Sequence, residues 1–149
     1  MPTYLVSVTD GLLSDDAKAN IAREITRAHS QATGAQTFFA QVMFSAIPRG
    51  AHFMGGKRID TNQIFVHGHI RAGRTPEQKA RLLADIVESL HRISKLEKRF
   101  LWIYLSELPP ANMIEYGQVL PQPGTEQQWL DGLPEADRAY LLGLAGTPD

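Results

Sequence analysis

Apolar residues recur at intervals of three and four along two stretches of the chain, at Ile21, Ala22 and Ile25 in the first and at Leu82, Leu83 and Ile86 in the second. That spacing lays them on one face of an α-helix and predicts helices over residues 15–33 and 76–94. Each helix has a start signal. Ser14 before Asp15 and Asp16 reads as an N-cap with acidic residues at the positive helix end. Thr75-Pro76-Glu77-Gln78 reads as a capping box with proline at the first helical position. Gly34 is suited to end the first helix. Short apolar runs around the helices predict strands near 3–8, 38–44, 63–71 and 99–105.

The two sets of elements coincide at a displacement of 61 residues, which places Ile21 on Leu82, Ile25 on Ile86, Tyr4 on Phe65, Val42 on Ile103 and Phe44 on Leu105. Each half is therefore strand, helix, strand. A βαβ unit makes a parallel pair through a right-handed crossover, so two copies predict an α/β (α+β) fold, a four-stranded sheet with both helices on one face. The chain divides into a first unit at 2–61, a second at 62–106 and an extension at 107–149, all within one domain spanning 1–149. In the fourth strand Leu101, Ile103 and Leu105 point one way and Phe100, Trp102 and Tyr104 the other. Neither side is suited to water, and self-association is the simplest cover for the outer one. The extension turns at Pro109-Pro110 and again at Pro121-Gln122-Pro123-Gly124, and 134–144 has the pattern of a short amphipathic helix. Its Leu130, Leu133, Tyr140 and Leu141 are expected to dock on the body or on a neighbouring subunit. Gly55-Gly56 reads as a turn or mobile loop, without the strand–bend–helix context of a phosphate loop.

Composition narrows the function. With 149 residues, 43% of them hydrophobic, the chain can bury a core of its own. A net charge of -1 gives no electrostatic footprint for nucleic acid or an anionic membrane as partner. The absence of cysteine excludes disulfides and thiol catalysis. No apolar run approaches the ~20 residues of a membrane span and the N-terminus lacks signal-peptide blocks, so a cytoplasmic location is expected. His67, His69 and Arg71 alternate along one strand face, and a His-x-His pair can ligate a metal. The neighbouring Arg71 cation repels one and no carboxylate is spaced to complete the set, so neither metal nor cofactor is expected. His52 and His91 show no partner pattern.

Pro2 follows the initiator methionine, and cells usually trim methionine ahead of so small a residue. The product would be a free N-terminal proline, whose secondary amine can act as nucleophile, general base or, protonated, general acid. A retained Met1 would instead make that nitrogen an inert tertiary amide.

A proline in this place on a tandem βαβ chain resembles the tautomerase superfamily, and in particular the cis-3-chloroacrylic acid dehalogenase family. The segments that carry the resemblance are TRAHSQATGAQ at 26–36, IFVHGHIRAGRT at 64–75 and LWIYLSELPPANMIEYGQVLPQPG at 101–124. It implies a mixed sheet whose two halves pair antiparallel, a homotrimer, and a catalytic N-terminal proline helped by a histidine, two arginines three apart, a tyrosine and a glutamate. Pro2, His29, Arg71, Arg74, Tyr104 and Glu115 stand at those motif positions. In the implied topology His29 comes close to Pro2, with Arg71 and Tyr104 arriving at the same sheet edge. Ala35 stands where the family has threonine and Phe39 where it has leucine, substitutions that bear on substrate preference.

The set suits a small unsaturated carboxylate that adds water. Arg71 and Arg74 would hold the carboxylate, with one further bond from a neutral His29. Glu115, assisted by Tyr104, would deprotonate a water, and a protonated Pro2 would deliver a proton to the α-carbon. The expected activity is hydrolytic dehalogenation of cis-3-chloroacrylate to malonate semialdehyde. Two alternatives stay open, a hydratase or tautomerase of a non-halogenated substrate, and a noncatalytic oligomer that binds a carboxylate. A neutral proline would suit tautomerisation, and the sequence leaves that balance undecided.

Overall fold

Both helix starts form as their side chains dictate. Ser14 Oγ accepts from the Ala17 backbone N–H at 3.2 Å, and Thr75 and Gln78 exchange the two bonds of a capping box at 3.2 and 2.9 Å. In the computed structural model, which describes residues 2–145, these caps open α1 (Asp15–Thr33) and α2 (Pro76–Ser94). The strands are β1 (Thr3–Thr9), β2 (Gln41–Ile47), β5 (Ile64–Arg71) and β6 (Leu101–Leu108), with a small hairpin of β3 (Phe53–Met54) and β4 (Lys57–Arg58) between the units. Beyond β6 come a second hairpin, β7 (Ile114–Glu115) and β8 (Gln118–Val119), and two short helices, α3 (Glu126–Asp131) and α4 (Glu135–Gly143).

The sheet order is β2-β1-β5-β6. Each unit contributes a parallel pair, and β1 meets β5 antiparallel, so the sheet is mixed. One core lies between sheet and helices, where Tyr4, Val6, Ile64, Val66 and Ile70 meet Ile21, Ile25, Leu82, Ile86 and Leu90. The opposite sheet face leaves Leu5, Met43, Trp102 and Tyr104 exposed. No helix among the described residues is long and apolar enough to cross a membrane.

The second and fourth strands start later than the apolar runs suggest, at 41 and 101 rather than 38 and 99. Residues 37–39 and 98–100 form single 3-10 turns, again 61 apart. The cause is how each helix ends. Gly34 and Lys95 take the left-handed conformation, at φ 75° and 62°, and the chain needs a further turn before it can re-enter the sheet. Phe39, which reads as the opening of a strand, instead enters a second apolar cluster with Leu130, Leu133 and Leu141, packed around by Phe38, Tyr116 and Trp129. The extension is thereby docked on the 3-10 turn that follows α1. Tyr140 stays exposed on this chain, with its ring 6.4 Å from that of Tyr116. The helix over 134–144 is α4, whereas α3, at six residues, is too short to leave a readable period. Gly55-Gly56 is the tight turn of the β3–β4 hairpin, both residues at positive φ.

Gly68 controls a close approach. A methyl group at this position would stand 2.6 Å from the Tyr4 ring and 2.8 Å from Leu105, well inside van der Waals contact. Gly68→Ala is therefore expected to cost about 1–3 kcal/mol through overpacking, seen as a lower urea midpoint with an unchanged slope. Gly73→Ala, strained by its own φ but distant from Tyr4, is the comparison that separates packing from backbone effects.

Candidate active site

Pro2 precedes β1 and is buried. Its carbonyl accepts from the Gln41 backbone N–H at 3.0 Å, which ties it to the start of β2. Tyr4, two residues on, shares its inward face and sends its hydroxyl to His29 Nδ1 at 2.7 Å. His29 lies in the last turns of α1, which runs back toward the start of β1, and is almost fully buried. Burial lowers the His29 pKa to about 3, helped by the positive charges of Arg74, the chain's amino end and Arg71. The ring is neutral at physiological pH. Burial also pushes the Tyr4 phenol up, against an opposing pull from Arg74, so Tyr4 stays protonated. In the tautomer in which the Tyr4 hydroxyl donates to Nδ1, the imidazole proton sits on Nε2 and is available as a donor; in the other, Nδ1 donates to Tyr4 and Nε2 is an acceptor.

Arg71 ends β5 and breaks its alternation, being buried where Phe65, His67 and His69 before it on the same face are only half-buried. Its guanidinium donates to the Pro121 carbonyl at 2.8 Å and pairs with Glu126. Arg74 lies in the loop before the Thr75 cap. Its Nε is buried and has no hydrogen-bond partner among the described residues. Burial and the neighbouring Arg71 hold the Arg74 pKa below its usual value, although Glu126, Glu107 and Tyr4 pull the other way. Pro2, His29, Arg71 and Arg74 line one cavity, together with Ala35, Phe39, Leu120, Pro121, Glu126 and Trp129. The two positions that depart from the family pattern, Ala35 and Phe39, are thus in its wall.

Glu115 and Tyr104 are placed differently. Glu115 sits in the β7–β8 hairpin outside that lining. Burial raises its carboxyl pKa, against the lowering effect of the positive charge at the chain's amino end. Tyr104 lies mid-strand opposite His67, on the exposed sheet face, edge-on to Phe65 at 5.0 Å. Its own chain turns it away from the cavity. On the same face His67 Nε2 bonds Ser106 Oγ at 2.7 Å, and no group of three histidine or acidic side chains among the described residues is arranged to hold a metal. His91, without a partner pattern in sequence, bonds the Leu96 carbonyl through Nδ1 at 2.6 Å.

Two residues of this site escape sequence reading. Tyr4 left a trace, because its repeat partner Phe65 has no hydroxyl. Glu126 left none: it meets Arg71 across 55 residues only because the extension folds back over the cavity.

The mixed sheet of two βαβ units is one that related proteins share. The sequence model of a family described as "Putative oxalocrotonate tautomerase enzyme" matches residues 1–132. The chain belongs to this tautomerase family. Within the superfamily it is similar over nearly its whole length to N1, a member of the cis-3-chloroacrylic acid dehalogenase (cis-CaaD) family. The two are 33% identical, with a TM-score of 0.88, over 95% of this chain and 99% of that one. More distant structures share the fold. Native fused 4-OT is 22% identical with a TM-score of 0.73, over 78% of this chain and 94% of its own. Pt0534, solved after inactivation by 2-oxo-3-pentynoate, is 24% identical with a TM-score of 0.72, over 79% and 94%. No curated protein matches the sequence.

Proposed function

We propose that this tautomerase-family protein adds water to a small α,β-unsaturated carboxylate and acts as a cofactor-independent hydrolytic dehalogenase on substrates such as cis-3-chloroacrylate. The observation that carries this reading is the cavity that Pro2 and a half-buried Arg74 line together, with the Arg74 Nε buried and without a hydrogen-bond partner among the described residues. An unpaired buried cation donor calls for an anion. His29, held neutral, adds an uncharged donor beside it, which suits a carboxylate without making the site so cationic that Pro2 could not hold its own proton.

In this mechanism Pro2, freed of Met1, is the ammonium acid. Arg71 and Arg74 bind the carboxylate and draw electron density from the double bond, so that the β-carbon accepts a nucleophile. Glu115, whose carboxylate is made more basic by burial, takes a proton from water. The hydroxyl adds to the β-carbon while Pro2 gives its proton to the α-carbon. The resulting 3-chloro-3-hydroxypropanoate loses chloride and its hydroxyl proton to give malonate semialdehyde. Tyr104 reaches the site from a neighbouring subunit of a homotrimer, since in its own chain it faces the other way. The exposed apolar sheet face supports such an assembly, and fused 4-OT is described as a trimer.

Proton NMR of cis-3-chloroacrylate with protein of verified N-terminal mass is the direct test. Malonate semialdehyde is the expected product. An unchanged spectrum at high enzyme concentration would refute dehalogenation and favour a non-halogenated substrate.

A further inference from the structure

The cation that should receive a substrate carboxylate is already holding one. Arg71 donates one arm to the Pro121 carbonyl and pairs with Glu126 through another. The remaining Glu126 oxygen accepts from the Gly124 backbone N–H at 2.8 Å. Burial by itself would raise the Glu126 pKa, but the Arg71 and backbone hydrogen bonds outweigh it and keep the side chain ionised. Arg71 and Glu126 are unequal partners: the Arg71 side chain is 8% exposed and that of Glu126 37%. The arginine is fixed in the wall, whereas the glutamate has solvent to move into.

The space around the pair is equally uneven. The inner cavity holds about 20 Å³, room for a single water-sized occupant, which a six-heavy-atom acid exceeds. A wider groove of about 380 Å³ lies immediately outside, and Ala35, Phe39, Arg74 and Glu126 line both. Glu126 therefore borders both the groove and the cavity. It is the first residue of α3, just after the Pro121-Gln122-Pro123-Gly124 turn, and among the described residues Arg71 is its one side-chain hydrogen-bond partner.

We infer that Glu126 is an internal carboxylate latch: it occupies Arg71 in the resting protein, and an incoming small monocarboxylate enters through the groove and displaces it. Affinity then measures an exchange of one carboxylate for another on the same guanidinium. This deepens the reading of the site as a carboxylate pocket and rests on it. It makes Glu126 a determinant of specificity, because dianions and larger acids must pass the displaced carboxylate, which keeps its negative charge beside the groove.

The test uses propanoate, an unreactive monocarboxylate, titrated into intact protein and followed by amide chemical shifts, so that no turnover is needed. Glu126→Gln is expected to bind about tenfold more tightly than wild type, the scale of one charge-assisted bond no longer competed for. Glu126→Asp retains the charge but falls a methylene short of Arg71, and it should also bind more tightly. Equal or weaker binding in both variants overturns the latch. Tighter binding in Glu126→Gln alone overturns it too, because repulsion by the charge then accounts for the effect. Should Glu126→Gln fail to fold, the Glu126→Asp titration decides. If propanoate perturbs neither wild type nor variants, the carboxylate-site reading itself falls, and the two failures are thereby distinguished.

Discussion

Protein that retains a residue ahead of Pro2 is expected to hydrate or dehalogenate its substrate about 10²–10⁴ times more slowly than protein that begins at Pro2, the range a positioned general acid contributes. The reason is a change of functional group rather than of shape. With a preceding residue the Pro2 nitrogen is a tertiary amide, which carries no proton and takes none at neutral pH. The wall of the cavity is otherwise the same, since the Pro2 carbonyl remains bonded to Gln41. KM should therefore move far less than kcat. Steady-state kinetics on two preparations separated by intact mass would show this. Pro2→Ala is expected to fall between them, because a primary amine keeps the acid function but loses the rigid ring that aims it. Equal kcat in the blocked and free forms would remove Pro2 from the chemistry.

The second large effect is on stability in acid. The His29 pKa is about 3 in the fold and about 6.5 in an unfolded chain. Between those values the unfolded chain binds a proton at this position that the folded chain refuses. The unfolded state thus gains as pH falls, and folding free energy is lost from about pH 6.5 downward, by up to about 1.4 kcal/mol per unit. Urea unfolding at pH 7, 6, 5 and 4 should show this slope in wild type and a shallower one in His29→Gln, which removes the titrating group. The comparison is cleanest above pH 4.5. Below that Glu24 and Glu126, whose carboxyls are held low by their partners in the fold, begin to contribute losses of their own. Parallel profiles would mean that His29 accepts its proton within the fold.

The sequence disclosed the fold because repeat, caps and periodicity agreed at every level. Ser14 and Thr75 mark helix starts 61 residues apart, and both work as caps in the structure. It disclosed less where local pattern and tertiary demand diverged. Phe38-Phe39 has the composition of a strand opening, yet the left-handed exit at Gly34 forces a turn first and turns Phe39 into a docking point for the extension. For the site, Pro2, His29, Arg71 and Arg74 could be placed together from the resemblance and the topology. The occupancy of Arg71 could not, because an ion pair between residues 71 and 126 depends on how an irregular segment of prolines and short helices folds back. Tyr104 shows the opposite limit: strand alternation places it on the outer face, while its match to a family motif says nothing about which cavity it serves.

The 61-residue repeat has a consequence for counting. Where the first unit has Pro2 the second has Gln63, whose backbone N–H is already committed to Thr9 at 2.9 Å, and where the first has His29 the second has Leu90, wholly inside the core. Joining two such units end to end doubles the architecture but leaves the molecule with one amino terminus. Under the proposed function, a reaction that needs a chain end would be limited to one centre per pair of units, with the second unit contributing Arg71 and Arg74 to the cavity wall rather than a centre of its own.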